Sequence, residues 1–175
     1  MNLPITSPKG GYGNNQDLWS EILPGLWMGG TGDDSVLNSS QDRPEITNLH
    51  FDTVVTLYAS ALPVDWYVKE LRLGFFDHDK VDIDPHDLDQ VVQSAHADWQ
   101  AGKRVLIRCQ AGWNRSGLIT ALVLMREGYR SFEAIELIHQ MRSDNALCNK
   151  SFEQFLRDKD TSDVDIHLYR FCKCC

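Results

Sequence analysis

Cys109 and Arg115 stand six positions apart, bracketing the run Gln110-Ala111-Gly112-Trp113-Asn114, and Ser116 follows at once. Val105-Leu106-Ile107-Arg108 precedes them and reads as a buried strand. The apolar stretch Ser116–Glu127, stopped by Gly128, reads as a helix. A strand that passes into a helix through a short loop points backbone N–H groups, with those of the helix's first turn, at one spot. That arrangement is an anion site. Gly112 permits the close backbone approach that a phosphate cradle needs, and Arg115 can fork two hydrogen bonds onto phosphate oxygens. The positive field at the base of such a loop favours the thiolate of Cys109. A thiolate beneath a bound phosphate is a nucleophile aimed at phosphorus. The plainer reading is an inert buried cysteine in an ordinary strand-to-helix turn.

Residues 104–120, R-V-L-I-R-C-Q-A-G-W-N-R-S-G-L-I-T, resemble the Cys-x5-Arg signature of the protein tyrosine phosphatase superfamily, above all its small dual-specificity branch. The resemblance extends from Ser20 to about Arg157. It takes in S-E-I-L-P-G-L-W-M-G-G, F-D-T-V-V-T-L, L-R-L-G-F-F-D and M-R-S-D-N-A-L-C-N-K-S-F-E-Q-F-L. It implies a phosphatase in which Cys109 attacks phosphorus, Arg115 and the amides of residues 110–114 hold the phosphoryl group, and Ser116 helps the sulfur leave the phosphoenzyme. It also implies an Asp that protonates the leaving oxygen and later activates water. Asp77, directly after Gly-Phe-Phe and 32 residues before Cys109, is the choice, with Asp79 as the alternative. Asn114 is expected to brace the loop and Trp113 to pack at its rim. In one place the chain departs from the family: His usually precedes the Cys, and here it is Arg108. Arginine keeps a positive charge but cannot reproduce the hydrogen bonds of an imidazole.

The elements that must hold these residues are legible in the pattern. Trp19–Met28 reads as two short strands broken at Pro24-Gly25, Asp33–Asn38 as a helical turn, Thr53–Tyr58 as a strand covered on both faces, and Tyr67–Leu73 as a more exposed one. A helix runs from an Asp84 cap with Pro85 at its first position to a stop at Gly102. Phe132, Ile135, Ile138 and Met141 mark another, and Ser151-x-x-Gln154 resembles a capping box on a last one. The alternation predicts an α/β fold, a central, mostly parallel sheet flanked by helices. Residues 18–158 are the expected domain, 1–17 a flexible arm, and 159–175 a tail with a Cys-rich end. Cys148 reads as a small core residue.

Composition narrows the function classes. Of 175 residues, 17 are Lys or Arg and 25 Asp or Glu, so the net charge is −8 and no whole-surface basic field for nucleic acid exists. The longest uncharged apolar stretch is far short of the roughly 20 residues of a membrane helix. Five cysteines, three of them within the last four residues, make a poor disulfide framework. A cytoplasmic monomer acting on phosphorylated protein, with no metal or organic cofactor, is the expectation. Asp77-His78-Asp79, with His86 and His96, fits no ligand spacing. Three other readings stay open. One is an RNA 5′-phosphatase, since G-W-N-R-S-G is similar to the G-x-N-R-T-G run of capping-type RNA triphosphatases. The others are a catalytically impaired phospho-binding module and rhodanese-like sulfur transfer.

Overall fold

The computed structural model describes residues 5–7, 17–32 and 46–171, the stretch 161–171 by backbone alone. The turn expected at Asp33–Asn38, most of the expected arm, and Cys172, Cys174 and Cys175 lie outside the described residues. Five strands form one sheet: β1 (Trp19–Leu23), β2 (Leu26–Gly30), β3 (Thr53–Thr56), β4 (Lys69–Arg72) and β5 (Val105–Cys109), in the order β1-β2-β5-β3-β4. Only the β1–β2 hairpin is antiparallel; β2, β5, β3 and β4 pair in parallel. Four helices, α1 (Pro85–Gln100), α2 (Asn114–Glu127), α3 (Ser131–Met141) and α4 (Lys150–Phe171), complete the described chain. The α/β expectation holds.

Strand alternation sorts β5 between two cores. Val105, Ile107 and Cys109 join the larger cluster, with Met28, Val55, Leu118, Ile119 and Phe152. Leu106 joins the other, with Trp19, Phe51 and Val54. Both faces of β5 are therefore covered, which is why its run is continuously apolar up to Arg108. Truncating a fully buried residue such as Ile107 to Ala costs on the order of 2–5 kcal/mol. Residues 5–7 are not free of the domain: Ile5 packs on the smaller cluster, and the Trp19 N–H donates to Ser7 Oγ at 2.8 Å.

The caps show where local reading succeeds. Asp84 Oδ1 accepts from the N–H groups of His86 and Asp87, with Pro85 at the first position of α1, as expected. Two starts differ. α2 begins at Asn114, so Ser116 lies inside its first turn and is not a cap. α4 begins at Lys150 and is capped by Asn149, whose Oδ1 accepts from the N–H groups of Ser151 (3.0 Å) and Phe152 (3.4 Å); the box centred on Ser151 does not form. α4 also continues to Phe171, beyond the boundary expected at residue 158. Cys148 is exposed, a correction to its reading as a core residue; it lies in the turn that leads into α4, with its Sγ 3.5 Å from Asn114 Oδ1.

Three ion pairs on two carboxylates, Asp52 and Asp98, pin the N-terminal ends of the parallel strands. Arg104 closes on Asp52, and Asp98 accepts from Thr53 Oγ1 (2.9 Å), Lys69 Nζ (2.7 Å) and Lys103 Nζ (2.6 Å). Burial alone would raise the Asp98 carboxyl. The hydrogen bonds from Lys103, Lys69 and Thr53 outweigh it, and the group is held below its ordinary 3.8. A carboxyl depressed on folding stabilises above its unfolded value and loses that contribution as pH falls through the folded one. Asp98→Ala is therefore expected to cost ~2 kcal/mol at neutral pH. The deficit against wild type should shrink as pH drops below 3.8, as read by urea denaturation at several pH values. A deficit unchanged by pH would contradict the ion-pair explanation.

Candidate active site

The parallel strands present their C-terminal ends on the side opposite these pins, where ligands of open α/β sheets bind. Cys109 ends β5 there and is 2% exposed. The loop turns back through Gly112 at φ +75°, lying so close on β2 that a Cβ would come within 2.4 Å of Gly29 C and Gly30 N. Any other residue at 112 would combine left-handed backbone strain with that clash.

The loop's carbonyls are bonded outward. Gln110 O accepts from the N–H of Thr31 (3.2 Å), Gly112 O from Arg142 Nε (3.3 Å), and Trp113 O from the N–H groups of Gly117 and Leu147 (both 3.2 Å). With these oxygens held outside, the N–H of Gly112 turns inward and donates to Cys109 Sγ at 3.2 Å. Ser116 Oγ, fully buried, lies 3.4 Å from the same sulfur. The first turn of α2 adds its unpaired N–H groups and the positive end of the helix dipole.

Arg115 reaches across the strand ends. Its Nη1 donates to Leu57 O, just past β3, and to Phe75 O, past β4, both at 3.2 Å, and the Tyr58 ring lies 5.6 Å from its guanidinium carbon. Its Nε is buried without a hydrogen-bond partner among the described residues. A buried donor left unpaired is costly unless an acceptor arrives. A phosphoryl oxygen is such an acceptor, and the Nε–Nη2 edge offers it the forked geometry.

Asp77 comes to this loop through Asn114, whose Nδ2 donates to Asp77 Oδ2 at 3.0 Å. Asp79 lies further along the same exposed loop. Asn114 Oδ1 accepts the backbone N–H of Asn149 (3.1 Å), so its amide bridges that residue and the carboxylate. Thus Cys109, residues 110–114, Arg115, Ser116 and Asp77 converge.

Arg108 does not join them. Strand alternation sends its side chain to the face opposite Cys109, where it is 5% exposed and donates to Thr56 Oγ1 (3.0 Å), Leu62 O (2.7 Å) and Glu70 Oε1 (3.3 Å). Burial lowers this guanidinium's pKa, and the Glu70 carboxylate opposes that shift. Its charge is therefore balanced by Glu70 and is not spent on the thiol. The buried cation behind the loop is Arg142 instead. Burial lowers its pKa, while the charges of Cys109 and Asp17 work the other way. Arg142 escaped the sequence reading because nothing local marks an arginine at a helix end as the partner of a loop carbonyl 30 residues earlier. Among the described residues, no group of three or more His, Cys, Asp or Glu is placed to hold a metal ion, and no helix is long and apolar enough to cross a membrane.

Comparison with known proteins agrees with this geometry. The family model "Dual specificity phosphatase, catalytic domain" matches residues 37–162. No curated protein sequence matches significantly. Among solved structures, human DUSP28 is similar at 22% identity and TM-score 0.65, over 83% of this chain and 94% of that one. A mouse putative dual specificity phosphatase complexed with zinc tungstate is similar at 22% identity and TM-score 0.66, over 91% and 92%. PTPMT1 in complex with PI(5)P is similar at 19% identity and TM-score 0.65, over 86% and 99%. These likenesses bear on the fold, whereas the family match spans the strand-loop-helix and the acid loop together. This chain belongs to the dual-specificity phosphatase family.

Proposed function

We propose that the protein is a cysteine-dependent protein phosphatase that hydrolyses phosphotyrosine, phosphoserine or phosphothreonine through a phosphocysteine intermediate. The observation that carries this is the pairing of Cys109 Sγ, in contact with Gly112 N–H and Ser116 Oγ, with an Arg115 whose buried Nε has no hydrogen-bond partner among the described residues. In the first step the Cys109 thiolate forms an S–P bond as the bond from phosphorus to the leaving oxygen breaks, and Asp77 gives that oxygen its proton. In the second, Asp77 takes a proton from water. The water oxygen bonds to phosphorus, and the sulfur leaves as thiolate beside the Ser116 hydroxyl. Throughout, Arg115 and the loop amides hold the equatorial oxygens. The residues need no metal ion or organic cofactor for either step.

Charge supports protein over RNA as substrate. With Arg108 turned to the far face, Arg115 is the one basic side chain that residues 105–125 offer to a phosphate. Six carboxylates from Asp77 to Asp89 are all exposed. A single dianionic head suits one arginine and a ring of amides, while a triphosphorylated RNA end would meet repulsion that strengthens as salt is lowered. Phosphate release should therefore show a higher kcat/KM on phosphotyrosine or phosphothreonine peptides than on 5′-triphosphorylated RNA at matched ionic strength. A preference for RNA that grows at low salt would reverse the substrate assignment and leave the chemistry of Cys109 untouched.

A further inference from the structure

The acid loop has little to hold it. Phe75 is buried, but Phe76, Asp77, His78, Asp79 and Lys80 are all exposed. Among the described residues, every hydrogen bond from 76–80 to a distant part of the chain ends on one of two asparagine side chains. Asn149 Nδ2 donates to Asp77 Oδ1 (2.8 Å) and to His78 O (3.1 Å), and Asn114 Nδ2 donates to Asp77 Oδ2 (3.0 Å). The two amides are themselves joined, because Asn114 Oδ1 accepts the Asn149 N–H. Their orientation is over-determined. Asn149 Oδ1 must face the N–H groups of Ser151 and Phe152 that it caps, which leaves Nδ2 for the carboxylate; flipping the amide would set oxygen against oxygen.

We propose that Asn149 and Asn114 are positioning residues that latch Asp77 over the phosphate loop, so that the acid is in place without a loop-closing step. This rests on the reading of Asp77 as the proton donor. Three segments far apart in sequence meet at the latch: the acid loop, the first residue of α2 and the residue that caps α4. Each carboxyl oxygen has two lone pairs, and one amide bond to each leaves the other pair free for the transferable proton. The latch thus fixes the carboxyl without blocking it. Displacing a catalytic group by about 1 Å can cost as much as 10²-fold, so loss of one of the two anchors is expected to fall below that.

Asn149→Asp is the informative variant. Aspartate caps a helix as well as asparagine does, so α4 keeps its start, but the amide donor becomes a carboxylate facing Asp77. Asn149→Ser is the second, since its hydroxyl can still cap yet is too short to reach the acid. Each is assayed on aryl phosphates whose phenols range from strongly to weakly acidic, in the wild-type and Asp77→Asn backgrounds, with the thermal midpoint as a check on folding. The expected result is a loss of ~10-fold or more in kcat/KM on the weakly acidic phenols and less than about threefold on the most acidic one, which needs little protonation. In the Asp77→Asn background the Asn149 variants should add no further loss. An equal loss on every leaving group, or the same loss with Asp77 already replaced, would make Asn149 structural and overturn the latch. So would full activity on the poor leaving groups. A wild type that hydrolyses none of these esters would instead remove the phosphatase reading itself, and the latch with it.

Discussion

Cys109→Ser is expected to abolish turnover of every phosphomonoester while phosphate or tungstate still binds. The two halves of this outcome separate chemistry from the cradle. A serine hydroxyl at neutral pH is a far weaker nucleophile than a thiolate, and among the described residues no carboxylate or imidazole is hydrogen-bonded to position 109 to activate it. Near Sγ stand the Gly112 N–H and the Ser116 hydroxyl, groups that stabilise a negative sulfur and do not remove a proton from serine. In the proposed mechanism anion binding rests on other atoms: the loop N–H groups, whose carbonyls Thr31, Arg142 and Leu147 hold outside, and Arg115. None of these is touched by the substitution. Serine is also nearly isosteric with the 2%-exposed cysteine, so the fold should survive. Anion titration followed by a thermal-shift measurement reads both halves. Residual turnover in Cys109→Ser would mean that the nucleophile is elsewhere.

The second large effect falls on Arg115. In the proposed mechanism its guanidinium does two tasks at once: Nη1 ties the segments after β3 and β4 to the loop through Leu57 O and Phe75 O, and the opposite edge takes the phosphate. Lysine supplies the charge but has one nitrogen, so it can serve the carbonyls or the anion and not both. Arg115→Lys should therefore lower kcat/KM by on the order of 10²–10³-fold, the range seen when one transition-state donor is lost. Most of the loss should appear in kcat, because the charge that draws the substrate in remains. A variant with near-normal kcat and only a raised KM would show that Arg115 binds the ground state and does not act on the transition state.

The route from sequence to site was short where chemistry is local. The strand, the loop with Gly112 and the helix after it follow one another within residues 104–120, so the thiol, the amides and Arg115 share one segment and their meeting is visible in the order of residues. The same holds for the Asp84 cap and for the two strands broken at Pro24-Gly25. Other features depend on contacts between distant segments. Asn149 went unread beside the box expected at Ser151, and its reach to Asp77 spans 72 positions that nothing near it in sequence announces. Arg142 likewise meets Gly112 across 30. Arg108 departs from the family residue type in a way the sequence shows at once, but its partners are not shown there: Thr56, Leu62 and Glu70 lie 38 to 52 positions away. Cys148 was taken for core on residue type alone, whereas the turn into α4 leaves it at the surface.

The covalent step through Cys109 is tested most directly by trapping the intermediate. Asp77→Asn should slow the attack of water on the phosphoenzyme, so mixing that variant with an aryl phosphate of very acidic phenol and quenching in acid within one turnover should let the phosphocysteine accumulate. Peptide mass spectrometry of the quenched protein should then find one phosphoryl group on the peptide that carries Cys109 and none in the Cys109→Ser, Asp77→Asn double variant. A phosphoryl group on any other residue, or an unmodified enzyme in the presence of a full burst of released phenol, would contradict a mechanism in which this sulfur attacks phosphorus.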